Sequence, residues 1–62
     1  MRGFATSHST YYIDPVNKLI WGGYFKDNRT SYMHLQAMLG TKARIKLTNG
    51  EVIETGKVQR YI

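Results

Sequence analysis

The sequence predicts a mainly β domain, α+β in class: a small, strongly bent antiparallel sheet of four or five strands with one short helix. Three observations point there. Ala43, Ile45 and Leu47 alternate with Lys42, Arg44 and Lys46, the period of two expected of a strand with one covered face. Asn49-Gly50 follows at once, and that pair favours a hairpin turn. Elsewhere Gly and the single Pro interrupt β-branched and aromatic runs at strand-length intervals.

From the N-terminus, residues 1–8 carry one positive charge, Arg2, and no apolar centre. They read as a flexible arm ahead of a single domain over 9–62. Ser9–Ile13 is aromatic and β-branched, hence a strand. In Asp14-Pro15-Val16-Asn17, Asp suits the first turn position, Pro fixes φ at the second, and Asn tolerates the fourth or a left-handed site. The chain should reverse there into a strand over 18–25, where Gly22-Gly23 marks a bulge or sharp bend.

Lys26-Asp27-Asn28-Arg29 is a polar turn. Tyr32, Leu35, Met38 and Leu39 then fall on one face of a helix, which Thr30 or Ser31 could cap and Gly40 could end. That predicts a helix over 31–39, with a strand through Tyr32–Leu35 as the competing reading.

The last third admits two registers. A two-residue Asn49-Gly50 loop sets Ile45 opposite Glu54. A three-residue loop, Thr48-Asn49-Gly50 with Gly50 left-handed, sets Ile45 opposite Ile53 and Arg44 opposite Glu54. The second matches both faces, each favourable cross-strand pair contributing ~0.2–1 kcal/mol, and is preferred. Gly56 should break this strand before a final one over 57–62, with Val58 inward and Lys57 outward.

A bent sheet of about five strands with one helical turn is the plan of SH3-like and Sm-like barrels, and residues 43–58 resemble the hairpins of such barrels. The resemblance is one of hairpin pattern and carries no functional residues across.

Sixty-two residues lie near the lower limit for folding alone, and with no cysteine no disulfide can help. Stability must come from a compact core, a partner or self-association. The longest apolar run, Leu19-Ile20-Trp21, is far short of the ~20 residues that cross a bilayer. A cytoplasmic protein without a membrane partner is the expectation.

Nine Lys and Arg against four Asp and Glu leave a charge of +5, which favours polyanions. Lys42, Arg44 and Lys46, ~6.6 Å apart along one strand face, match the scale of backbone phosphates. Lys57 and Arg60 extend that set, with Lys18, Lys26 and Arg29 at its rim. Among the aromatics, Tyr11 and Tyr12 must point to opposite faces, so one of them is outside; Tyr24 or Phe25 offers a second exposed ring. Bases stack on such rings, while Trp21 is expected in the core.

Catalytic chemistry is not expected. His8 and His34 lie in no ligand spacing, no phosphate-cradling Gly-rich loop is present, and the carboxylates fall in turns or on the last hairpin. No metal and no cofactor are implied. Two functional readings remain: a nucleic-acid-binding module using Lys42, Arg44, Lys46, Lys57, Arg60, Tyr11, Tyr12 and Tyr24, or a small inhibitor or adaptor, of the viral or mobile-element kind, docking on a larger host enzyme through aromatics and a strand edge. A homo-oligomer closed through strand edges is compatible with either.

Overall fold

Inward-facing residues on six short strands build a closed barrel, which a computed structural model describes over residues 2–62. The strands are β1 (Gly3–Thr6), β2 (Thr10–Asp14), β3 (Leu19–Gly22), β4 (Thr30–Gln36), β5 (Lys42–Leu47) and β6 (Val52–Tyr61). Each pairs antiparallel with the next, and β1 pairs with β6 to close the ring. The body measures 26 × 18 × 18 Å. Six strands replace the four or five expected.

Phe4, Tyr11, Ile13, Ile20, Phe25, Tyr32, Ala43, Ile45, Leu47 and Val58 form the core. Phe4 stacks on Tyr11 with centroids 5.0 Å apart, and Phe25 meets the Tyr11 ring edge-on at 6.3 Å. The expectation of a free arm over 1–8 is therefore corrected: among its described residues, Gly3–Thr6 is a strand with Phe4 fully buried. Its burial comes from β2 and β6, which pair with it on both sides. Thr6 closes the tight turn to β2, its hydroxyl oxygen accepting the His8 and Ser9 N–H groups at 3.3 and 3.1 Å.

The β2–β3 turn forms as read. Asp14 accepts the N–H groups of Val16 and Asn17 through Oδ1 and the Asn17 amide through Oδ2, at 3.1, 3.2 and 2.9 Å. The left-handed residue is Lys18, at φ 54°, rather than Asn17. Strand β3 ends at Gly22, earlier than expected. Gly22 and Gly23 take φ of 88° and 48°, and the chain passes into a 3₁₀ turn, Gly23–Phe25. The Tyr24 N–H donates to the buried Tyr11 hydroxyl at 3.2 Å, holding that turn on the core.

The helix over 31–39 does not form; the competing strand reading holds, as β4. Tyr32 lies opposite Leu47, yet His34 lies opposite Lys46, so Met33 is an extra residue that shifts the parity. The bulge puts Tyr32 and Leu35 on the covered side three residues apart, which imitates helical spacing. Met38 and Leu39, the rest of that pattern, are exposed. Among the described residues no helix is long and apolar enough to cross a membrane.

The β5–β6 hairpin has the preferred register. Ile45 faces Ile53, Arg44 faces Glu54, and Gly50 in the three-residue loop is at φ 93°. The break expected at Gly56 does not occur: β6 runs through it from Val52 to Tyr61. Arg44 pairs with Glu54 and Lys42 with Lys57, so β6 carries one residue more than β5 across that step. A second extra residue, Gln59, falls where Ala5 faces Arg60 and Thr6 faces Val58. These bulges bend β6 so that its first half pairs with β5 and its second half with β1.

Candidate functional site

Strand alternation decides which side chains reach solvent. On β5, Ala43, Ile45 and Leu47 turn inward, so Lys42, Arg44 and Lys46 stand outward and exposed. The neighbouring strands complete this wall. Lys57 of β6 lies opposite Lys42, Val52 opposite Lys46, and on β4 His34 faces Lys46 and Gln36 faces Arg44. His34, Gln36, Arg44, Lys46 and Val52 line a shallow open depression.

Four cations therefore share one wall. The carboxylate facing them is that of Glu54, 3.8 Å from Arg44 Nε, with both side chains more than half exposed at 61% and 57%. An ion pair so solvated is worth ~0–1 kcal/mol and exchanges readily for another anion. Among the described residues, no carboxylate lies within ion-pair distance of Lys42, Lys46 or Lys57. Glu51, at the end of the hairpin loop, is engaged by Asn49, whose amide nitrogen donates to it at 3.1 Å.

The other expected cations lie elsewhere. Arg60 is exposed on β6 three residues beyond Lys57, where that strand has left β5 and lies opposite Ala5 of β1. Lys18 is in the β2–β3 turn, and Lys26 and Arg29 are in the β3–β4 connection, so none of the three rims the β5–β6 wall.

The aromatic residues divide more sharply than the sequence indicated. Tyr11 is 5% exposed in the core, so its expected role as a stacking surface is corrected. Tyr12 and Tyr24 are exposed, at 44% and 64%, while Phe25 is buried. Trp21, expected in the core, stands on the outer face. Ile20 points inward, and its successor on the strand must point out. Trp21 is the cross-strand partner of Tyr12; the rings stack at 6.0 Å and 23°, and the Arg29 guanidinium lies 4.0 Å from the Trp21 centroid. Alternation counted back from Ile13 and forward from Ile20 is the signal that could have located this pair.

Strands β2 and β5 are three steps apart in either direction round a six-strand ring. The cationic wall and the Tyr12–Trp21 wall thus face opposite ways, and one flat interface cannot contain both sets. Among the described residues no three His, Asp or Glu side chains come together in a metal-binding group. Comparison with protein-family models, with curated proteins and with solved structures finds no match.

Proposed function

We propose that the chain is a non-catalytic nucleic-acid-binding barrel whose β5–β6 wall holds a phosphate backbone. The Lys42–Lys57 pair carries this reading. Like charges directly opposite each other on two strands destabilise a sheet by an amount comparable to the ~0.2–1 kcal/mol that opposite charges contribute. Here the pair is exposed, with no carboxylate within ion-pair reach among the described residues. A phosphate between the two ammonium groups offsets that repulsion. Lys46 and Arg44 continue the strip at backbone-phosphate spacing, and Arg44 is tied only by its solvated contact to Glu54.

Contacts of this kind fix position and carry no base preference, so binding through this wall is sequence-independent. Four phosphate contacts correspond to a slope of about −3 in a plot of log affinity against log salt. Anisotropy titration of a labelled oligonucleotide across salt concentrations measures that slope. Absence of binding at low salt ends the proposal.

A second reading, docking on a larger protein, has its own support. Strand β4 pairs with β3 only through Thr30 and Ser31, so from Met33 to Gln36 its ladder is with β5 alone. An edge of that sort accepts an added strand from a partner. Such a complex tolerates high salt and survives loss of the lysines, which separates it from the first reading.

A further inference from the structure

We infer that the nucleic acid this barrel takes is single-stranded, with its bases stacking on the outer Tyr12–Trp21–Arg29 surface while its phosphates lie on the β5–β6 wall. The inference rests on the proposed function and specifies its ligand.

The first ground is the cluster itself. Tyr12 and Trp21 stack face to face on the outside of the β2–β3 ladder, and Arg29 lies over the indole. The core already has its aromatic filling in Phe4, Tyr11 and Phe25, so this pair is not what closes the barrel. Tyr12 presents a large π surface to solvent, at 44% exposure. Aromatic rings of this kind, backed by arginine, take unpaired bases irrespective of sequence.

Charge is the second ground. Arg2 shares a shallow depression with Tyr12 and Trp21, and Arg29 is exposed beside them. Asp14 is the acid in that depression, and both its oxygens already accept hydrogen bonds from Val16 and Asn17. Asp27 shares the β3–β4 connection with Arg29 without pairing to it, and Glu51 and Glu54 belong to the β5–β6 side.

The third ground is the path between the walls. From β5 the outer surface crosses β6 and β1 to reach β2, three strand spacings of ~4.8 Å, or roughly 15 Å. Arg60 stands on that path, opposite Ala5, which in turn faces Thr10, two residues from Tyr12 on the same side of β2. A duplex is straight on this scale, its persistence length being ~150 base pairs, so it touches one wall of an 18 Å body. A single strand bends round it.

Trp21 is the only tryptophan, so its emission reports on this surface alone. The test titrates the protein with oligo-dT and oligo-U of about eight nucleotides, within the site sizes known for small β-barrels, and with a duplex of equal charge. Anisotropy of the labelled nucleic acid and Trp21 emission are read together. The expected result is quenching of Trp21 by the single strands and not by the duplex. Tyr12→Ala and Arg29→Ala should weaken single-strand affinity, the former by about five-fold or more, and leave duplex affinity within two-fold. A melting curve checks that Tyr12→Ala folds; if it does not, Arg29→Ala and the wild-type quenching decide. Equal affinity for both forms with Trp21 emission unmoved overturns this inference while the β5–β6 reading stands. No binding of either form overturns both.

Discussion

The Thr55 hydroxyl accepts the backbone N–H of Ala43 at 3.2 Å and donates to the Gly56 carbonyl at 2.8 Å. Among the described residues, Thr55 is one of two buried polar side chains, and it sits where β6 carries its extra residue opposite Ala43. The bulge has displaced the carbonyl that a regular ladder would offer Ala43, and a side chain takes its place. The bend that turns β6 from β5 towards β1 therefore depends on one hydroxyl.

Thr55→Val keeps the shape and removes the acceptor, leaving the Ala43 N–H buried without a partner. The expected loss is about 1–3 kcal/mol, or a melting temperature lower by at least about 4 °C. Thr55→Ser should recover most of it. Thermal unfolding by circular dichroism reads both, and a Thr55→Val variant that melts with the wild-type protein would show that water satisfies the site.

Stability and binding should move in opposite directions at Lys57. Lys57→Glu converts a repulsive cross-strand pair with Lys42 into an attractive one, and the barrel should hold or gain up to about 1 kcal/mol. Nucleic-acid affinity should fall, and the salt slope should shrink by at least one unit. A variant that lost stability and affinity together would mean that Lys57 acts through the fold.

Gly23 admits no side chain. Its φ is positive, and a Cβ there would run into the Tyr11 ring. Gly23→Ala should cost more than about 2 kcal/mol, since both the left-handed backbone and the contact with a buried ring oppose it. Gly50→Ala, also at positive φ but with open space around it, should cost about 1 kcal/mol. Denaturant midpoints for the two variants give the comparison, and equal midpoints would refute the Tyr11 contact.

Asp14 titrates below the ordinary aspartate range because the Asn17 side-chain amide and then the Asn17 N–H bond its ionised form, with Val16 adding a smaller share. A carboxyl group with a folded pKa below its unfolded one stabilises the fold above the unfolded value. It loses that contribution as pH falls through the folded value. The β2–β3 turn should accordingly loosen only in acid, and Asp14→Asn should abolish the Asp14-dependent part of the acid transition. An NMR titration of the Asp14 carboxyl with a midpoint at or above the ordinary value would contradict this.

How far the sequence spoke for itself differs from strand to strand. The β5–β6 register could be read because Ile45 and Ile53 cannot both face water, and a one-residue slip would have set Glu54 beside the core. The Asp14 turn was legible because its chemistry is local. Where the ladder carries an extra residue, parity failed as a guide: Met33 turned a strand into a counterfeit helix, and Thr55-Gly56 looked like an ending. Strand β1 was invisible because Phe4 is its single large apolar residue, and one of the two strands that cover it, β6, is distant in sequence. The lysine positions of β5 followed from alternation alone, whereas the separation of cationic and aromatic walls needed the closed ring, which no local pattern encodes.

The seam between β1 and β6 bears on how the chain can reach its folded form. The Arg2 N–H donates to the Ile62 carbonyl and the Ile62 N–H to the Gly3 carbonyl, both within 2.9 Å. Five hairpins can zip from nearest neighbours, but this last ladder must bring together segments almost a whole chain apart. Its ordering entropy is spent only when the rest is in place. Until then two raw edges stand open to any other chain. Joining residues 2 and 62 by a short peptide and cutting instead at the Asn49-Gly50 loop would make that meeting local and hand the late, chain-spanning closure to the β5–β6 ladder.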